Sequence, residues 1–250
     1  MAIAFANLGA SSGLGAGNAT NPDINSATNA TSYANSSWTP PGADLIVVFV
    51  TSRRGSSNGD TPTISGNSLT WTQIGATLDV DTNHGLSLFG ANAAGSATGV
   101  TTVDFGANTQ DHCIVSFFQA TGVDLTGGVA AAFVQNVNNT GSATSGSATL
   151  AAAGASANRP ISGFVHATNE VASPRANWTE LDDMHGSNAI RDLITQYRDD
   201  AFETTASATW STSAAWGGIA AELLATVTGH AGSLVNSSRL KSKVGGGLVG

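Results

Sequence analysis

Residues 70–75 read TWTQIG, and residues 176–183 read ANWTELDD. Both stretches place Trp before Thr, then Gln or Glu, then Ile or Leu, although the whole chain contains only five Trp. When Trp71 is aligned with Trp178, the segments on either side correspond as well. We therefore predict that the chain folds as two similar halves.

Five segments follow the same order in both halves. An apolar strand is followed by the Trp-Thr strand, an aliphatic-aromatic strand, a Thr-rich strand that ends in an aromatic residue, and a second apolar strand. One such half cannot cover its own apolar face, so two sheets packed face to face are expected to bury it. The aromatic residues that recur at strand ends are predicted to fill this core: Trp71, Trp178, Phe105 and Trp210.

The rest of the chain also favours strands. Residues 43–52, ADLIVVFVTS, form a continuous apolar run that is typical of a central strand. Similar short segments recur between Gly, Asn and Asp residues, as in sandwiches and barrels. The Ala-rich residues 128–137 are short and lack helix caps, so we interpret them as a strand. Residues 190–198 have helical spacing, but their place in the repeat favours a strand.

These patterns predict an all-β protein, a jelly-roll-like antiparallel β-sandwich with an internal pseudo-repeat. The sandwich is expected at 43–228, with halves at about 43–125 and 158–228. Residues 1–42 and 229–250 are predicted to be extended N- and C-terminal arms. The N-terminal arm is either flexible or ordered against a neighbouring molecule through the anchors Tyr33 and Trp38.

Composition restricts the function. Only 10% of the residues are charged, against roughly 25% in an ordinary soluble domain. A surface of Ser, Thr, Asn and Gly is typical of extracellular or particle-bound β proteins with many short turns. The single cysteine, Cys113, excludes an internal disulfide. The first residues lack the features of a secretory signal, and no apolar run has the length of a membrane span.

Several segments resemble one known group of proteins. Residues 71–75 (WTQIG), 86–105 (LSLFGANAAGSATGVTTVDF) and 113–124 (CIVSFFQATGVD), with 160–168 (PISGFVHAT) in the second half, are similar to a β-sandwich of many phage virion proteins and some secreted bacterial proteins. The resemblance covers about residues 43–228. It implies a jelly-roll-like fold and a role on a particle or cell surface, and it supplies no catalytic signature.

The C-terminal tail, residues 229–250, differs in charge from the body. The chain has 9 basic and 17 acidic residues, and the tail contains three of the basic ones and no acid. The body is therefore left with 6 basic and 17 acidic residues, a net charge of −11, against +3 for the tail. Either the tail is a solvated basic segment, or it lies along another subunit. We predict partner binding by Arg239, Lys241, Lys243, Leu234, Leu240, Val244 and Leu248.

No motif of a known catalytic type is present. The chain lacks a Gly-x-Ser-x-Gly elbow, a phosphate-binding P-loop and a His-Glu-x-x-His pair. Its five histidines are scattered, so no catalytic residue, cofactor or metal is predicted. Acidic clusters at 79–83 and 180–183 follow the two Trp-Thr strands and are expected in equivalent loops, and a third lies at 199–203. Two alternatives remain for such clusters: they could bind calcium, or they could supply the carboxylate pair of a glycosidase.

These observations lead us to expect a structural protein of a phage particle rather than an enzyme. A capsid-bound decoration or cement protein on the virion surface is favoured, with a capsid or other virion protein as partner and a homo-oligomeric state. The alternatives are a tail or fibre component, a secreted carbohydrate-binding module that uses Trp38 or Trp216, and a glycan-cleaving enzyme. The acidic body disfavours nucleic acid as a partner, and no membrane partner is expected.

Overall fold

The computed structural model of the chain describes residues 2–9, 15–16, 22–55, 59–186 and 192–227. In these ranges nearly all of the regular secondary structure is antiparallel β-strand. The first half contains β1 (Ala4–Asn7), β2 (Gly15–Ala16), β3 (Ile24–Ser26), β4 (Ser32–Ala34), β5 (Leu45–Arg53), β6 (Thr63–Gly66), β7 (Trp71–Gln73), β8 (Leu78–Asp79), β9 (His84–Asn92), β10 (Thr101–Asp104) and β11 (His112–Thr121). The second half contains a single helical turn, α1 (Val129–Ala132), and then β12 (Phe133–Thr149), β13 (Arg159–His166), β14 (Ser173–Pro174), β15 (Thr179–His185), β16 (Asp192–Tyr197) and β17 (Thr205–Leu223).

The two halves share one strand order. The large sheet of the first half contains β11-β5-β9-β7, and the large sheet of the second half contains β17-β13-β16-β15. The first half also has a separate small sheet, β4-β10-β6. In the second half the end of β12, the start of β17 and β14 correspond to it, but they are continuous with the large sheet. Trp71 lies on β7, and Trp178 directly precedes the equivalent strand β15. The antiparallel sandwich with an internal repeat agrees with the prediction, whereas the jelly-roll connectivity stays a prediction.

Three apolar cores hold the layers together. The central core lies between the two large sheets, with Leu45, Val47 and Phe49 of β5 on one side and Ile161 and Val165 of β13 on the other. The first core lies between the large and small sheets of the first half, and the second core occupies the same place in the second half. The alternate residues of β5, including Ile46 and Val48, belong to the first core. Both faces of β5 are therefore buried, which explains why its sequence is a continuous apolar run.

Strands β12 and β17 bend together from the large layer to the small one. Their register shifts between Ala143 and Ser145, where β17 contains extra residues. Because of the bend, the side-chain amide of Asn139 donates to the backbone carbonyl of Ser147 at 2.9 Å, although Ser147 lies eight residues further along the same strand. Trp216 fills this corner, and a methyl group on Gly141 would lie 2.9 Å from its indole nitrogen. The corner thus depends on glycine to admit the ring.

The N-terminal residues differ from the predicted arm. Strands β1 and β3 pair with β11, and β4 pairs with β10. Tyr33 and Trp38 are buried in the first core of their own chain instead of anchoring a neighbour. The repeat is also longer than predicted, because β3 and β4 precede β5 as β12 precedes β13. Strands that pair with the large sheets therefore also lie before the predicted starts at residues 43 and 158.

Two sequence interpretations of secondary structure had different outcomes. The strand expected at 190–198 is confirmed as β16, because its residues pair with both β13 and β15. The strand expected at 128–137 is wrong at its start, where α1 forms one helical turn after Gly128 with a φ of 84°. Of the predicted core residues, Phe105, Trp178 and Trp210 are buried, whereas Trp71 is half-buried at the edge of the first core.

Candidate functional site

Strand β15 has the sequence TELDDMH and carries adjacent acids in its buried part. A bulge interrupts its pairing with β16 between Glu180 and Asp182. Because a bulge sets two successive residues opposite one, it disturbs the alternation of side chains. Leu181 enters the central core, and Asp182 also contacts the first half. Asp183 remains in its own half, where its Oδ2 accepts the N–H of Ala172 at 3.0 Å.

Asp182 meets Asp23, the residue before β3, across the boundary between the halves. The two carboxyl groups are within hydrogen-bonding contact, and the residues are 0% and 2% exposed. Asp23 Oδ1 also accepts the N–H of Phe117 at 2.8 Å. The Ser116 hydroxyl lies beside Asp182 and is 3.2 Å from the Thr195 hydroxyl. We call Asp23 and Asp182 the junction pair.

The junction pair binds a proton more tightly than an ordinary carboxyl group. Burial raises the pKa of Asp23 well above its usual value of 3.8, and the N–H of Phe117 lowers it by less. Burial also raises the pKa of Asp182, and the charge of Asp23 raises it further. Two carboxyl groups in contact cannot both ionise without strong repulsion, so the pair shares a proton.

A second group crosses strands β13, β16 and β15, and we call it the acid–histidine row. It contains His166, Asp192 and His185, which are cross-strand neighbours, together with Asp183. His185 Nδ1 lies 3.1 Å from Asp192 Oδ1, and His185 Nε2 lies 3.5 Å from Asp183 Oδ2. His166 Nε2 is 3.8 Å from Asp192 Oδ2, and its ring stacks on Trp210 with centroids 4.5 Å apart.

The row also holds protons more tightly than free side chains do. Burial raises the pKa of Asp183, and the positive charge of His185 lowers it by less. Burial raises the pKa of Asp192, and the N–H of Glu170 opposes this effect. For His185, burial lowers the pKa, but the hydrogen bond to Asp192 and the charge of Asp183 outweigh it, so the pKa is raised.

This geometry suits proton binding better than bond cleavage. A glycosidase needs two carboxyl groups about 5–9.5 Å apart on either side of a sugar bond, whereas the junction carboxyls touch each other inside the fold. The His185 side chain is 29% exposed, and Asp192 beside it is fully buried. Within the ranges that the structure describes, no three His, Cys, Asp or Glu side chains are arranged to hold a metal ion.

The predicted acidic loops do not form equivalent open sites. The cluster at 180–183 lies on strand β15, where Asp182 and Asp183 are buried and Glu180 is exposed. In the cluster at 79–83, Asp81 instead accepts the N–H of Asn83 at 2.8 Å and contacts His84. In the third cluster, Glu203 binds two arginines and the indole N–H of Trp178.

The predicted partner-binding residues of the tail lie outside the described residues, so the structure does not place them. They are Arg239, Lys241, Lys243, Leu234, Leu240, Val244 and Leu248. No pattern in the sequence predicts the contact of Asp23 with Asp182, or that of His166 with Asp192 and His185. The one sequence signal was the pair of adjacent acids between the apolar residues Leu181 and Met184.

The aromatic side chains face inward. All of the Trp, Tyr and Phe residues lie in the described ranges, and none belongs to the exposed large hydrophobic side chains, which are Val100, Val134, Val171 and Val227. Trp38 and Trp216, the residues considered for sugar stacking, are 3% and 6% exposed. The described surface therefore has no exposed aromatic platform on which a sugar ring could stack.

The arginine side chains of the described residues make contacts within the chain. Each arginine in the described ranges binds an acceptor of its own chain. The contacts are Arg53 with Asp111, Arg54 with Asp60, Arg159 with the Asp199 carbonyl, Arg175 with Glu203, and Arg198 with Asp200 and Glu203. The described surface thus presents no clustered basic patch for an acidic ligand.

Comparison with protein-family models, with curated proteins and with solved structures gives no match for this chain. Among the helices of the described residues, none has the length and apolar character that a bilayer crossing requires.

Proposed function

We propose that the chain is a structural, non-enzymatic protein of a phage particle, bound to the capsid exterior as a decoration or cement protein. The observation that carries the proposal is that the aromatic, arginine and contacting carboxyl side chains of the described residues make their contacts within the fold. Aromatic rings fill the three cores, described arginines pair with acceptors of the same chain, and the contacting carboxyls are buried. The exterior consists largely of small polar residues with few charges, and most of these charges are acidic. Such a surface on a duplicated scaffold suits packing against a shell.

The same observation weighs against the two other classes of function. A carbohydrate-binding module commonly needs an exposed ring, and Trp38 and Trp216 are buried. A glycan-cleaving enzyme needs separated carboxyls that a substrate can reach, and Asp182 is fully buried against Asp23. The resemblance of residues 43–228 to phage virion sandwiches supports the same choice.

The C-terminal tail is the proposed contact with the partner. Both lysines of the chain, Lys241 and Lys243, lie in the tail beside Arg239. The body has a net charge of −11, so a second copy of this chain offers an acidic surface to these cations. The tail also contains Leu and Val residues among glycines, and a segment of this kind can add a strand to a neighbouring sheet edge. Capsid binding and homo-oligomerisation are both proposed to use it.

Reconstituted binding tests the proposal. Capsids stripped of accessory proteins are mixed with the full chain and sedimented, and we expect saturable binding at a fixed ratio to the capsid protein. A first variant replaces Arg239, Lys241 and Lys243 by Gln, and a second replaces Leu240 and Val244 by Ser. The charge variant should lose affinity most at low salt, because exposed charges are screened over about 8–10 Å at physiological ionic strength. The apolar variant should lose affinity equally at all salt concentrations.

A parallel screen addresses the other classes of function. Purified chain is incubated with polysaccharides and peptidoglycan, and both released sugars and retained binding are measured. We expect neither turnover nor binding. Turnover that disappears in Asp182→Asn or Asp183→Asn would establish an enzyme, and glycan binding without turnover would establish a carbohydrate-binding module. Failure of the full chain to bind stripped capsids at any salt concentration would remove the capsid role.

A further inference from the structure

The junction pair lies where three parts of the chain meet. The end of β1 and the residue after it are tied to both halves. Leu8 donates its N–H to the Phe117 carbonyl at 3.1 Å, and the Asn7 side chain donates to the Leu181 carbonyl at 2.6 Å. Strand β3 is tied to the end of β15, where Asn25 donates to the His185 carbonyl at 2.7 Å. Both connections flank the contact between the two junction carboxyls.

The contact between the two junction carboxyl groups is favourable only while the pair holds a proton. With one proton, a carboxyl group donates to a carboxylate, and both groups gain a hydrogen bond inside the protein. Without it, two negative charges face each other in a medium of low dielectric constant, which is strongly unfavourable. Neutral groups of the described residues also lie close to the pair: the Ser116 and Thr195 hydroxyls, the N–H groups of Phe117 and Asp183, and the backbone of Gly9.

We propose that the junction pair is a proton-operated latch. When it is protonated it holds β1 and β3 against β15, and when the proton leaves this contact loosens. The proposal is independent of the function proposed above. It concerns how firmly the N-terminal strands are held on the second half, whatever the particle or partner.

The neighbouring ionisable groups act in the same direction. On β15, Glu180, Asp183 and His185 have raised pKa values, and Asp192 on β16 does as well. A group whose folded-state pKa is raised contributes stability that is complete below its unfolded pKa and is lost as pH rises through its folded pKa. For the junction pair this window runs from the ordinary value of 3.8 to about 7 for Asp23 and about 8 for Asp182. The contact should therefore be firmest below about pH 4, weaken as pH rises, and still lose strength between pH 6 and pH 9.

Hydrogen exchange measured by mass spectrometry tests the latch. Peptides that cover 2–9 and 22–26 are followed in the full chain at pH 6 and pH 9, after correction for intrinsic exchange rates. We expect protection in these peptides to fall about tenfold or more between the two pH values, the change that corresponds to one pKa unit of linkage. Peptides from β5, in the centre of the first half, should change much less.

Two variants separate the latch from general effects of pH. Asp182→Asn keeps the shape of the side chain and cannot lose a proton in this range, so the pH dependence of protection at 2–9 and 22–26 should be clearly smaller than in the natural chain. Asp199→Asn removes an exposed acid and should behave as the natural chain does. If Asp182→Asn does not fold, Asp23→Asn provides the same test from the other side. Constant protection in the natural chain, or an undiminished pH dependence in a folded junction variant, would overturn the proposal.

Discussion

Gly163 on β13 is a point of close approach between the two halves, and its replacement by Ala tests their shared core. A methyl group at this position would lie 2.6 Å from Phe49 Cδ1 and 2.8 Å from Cε1. Carbon atoms pack best about 3.5–4.0 Å apart, so the ring must move by roughly 1 Å. It has little room to do so, because Phe49 is fully buried and stacks on Phe118 with centroids 6.2 Å apart.

We expect Gly163→Ala to lower the free energy of unfolding by about 1–3 kcal/mol, which is the usual cost of adding a methylene-sized group to a packed core. Urea unfolding followed by far-UV circular dichroism measures this change. Gly42→Ala is the matched control, because a methyl group there has no neighbour within 4 Å. Its effect should stay within about 0.5 kcal/mol.

A double-mutant cycle then identifies the contact. Phe49→Leu shortens the side chain that the added methyl group meets. The combined variant should therefore be more stable than the sum of the single effects predicts, with a coupling energy of about 0.5–3 kcal/mol. Additive effects of the two substitutions, or an unchanged stability in Gly163→Ala, would refute a shared central core at this position.

Trp178→Ala should lower the free energy of unfolding, measured with urea, by about 3–5 kcal/mol. Trp71→Ala should lower it by less, because Trp178 is buried and hydrogen-bonded to Glu203 while Trp71 is half-buried. Equal losses in the two variants would contradict this packing. The Cys113 thiol, fully buried with a pKa raised by burial, should not react with an aromatic disulfide reagent until the chain is denatured. A chain truncated after Thr228 should keep its far-UV circular dichroism, because β17 ends at Leu223, yet fail to bind stripped capsids; full binding would show that the tail is dispensable.

The large-scale plan of the fold could be read from the sequence because its strands carry strong patterns. The apolar run of β5 signals burial on both faces, and the Trp-Thr phrases mark equivalent edge strands β7 and β15. Strands β3 and β4 were missed because each has only three residues, too few to show an alternating pattern. The length of β12 was missed because its exposed residues are Asn, Ser, Thr and Gly, which are equally common in loops.

The candidate site was much less predictable. Asp23 and Asp182 are far apart in the sequence, and only the packing of the two large sheets brings them together. The bulge before Asp182 turns an apparent acidic loop inward, and no residue type in TELDDMH marks a bulge. The acid–histidine row depends on the register of three strands, which sets His166 opposite Asp192 and Asp192 opposite His185. Such a register follows from tertiary pairing and not from local sequence.

Electron cryo-microscopy of purified particles is the most direct test of a structural role on the capsid. Mass spectrometry of the same particles first establishes the number of copies of the chain per capsid protein. We expect a fixed ratio and, on the outer surface of the shell, density into which the two packed sandwiches of residues 22–227 fit as one body. Absence of the chain from purified particles, or density confined to the tail or fibres, would contradict the capsid role.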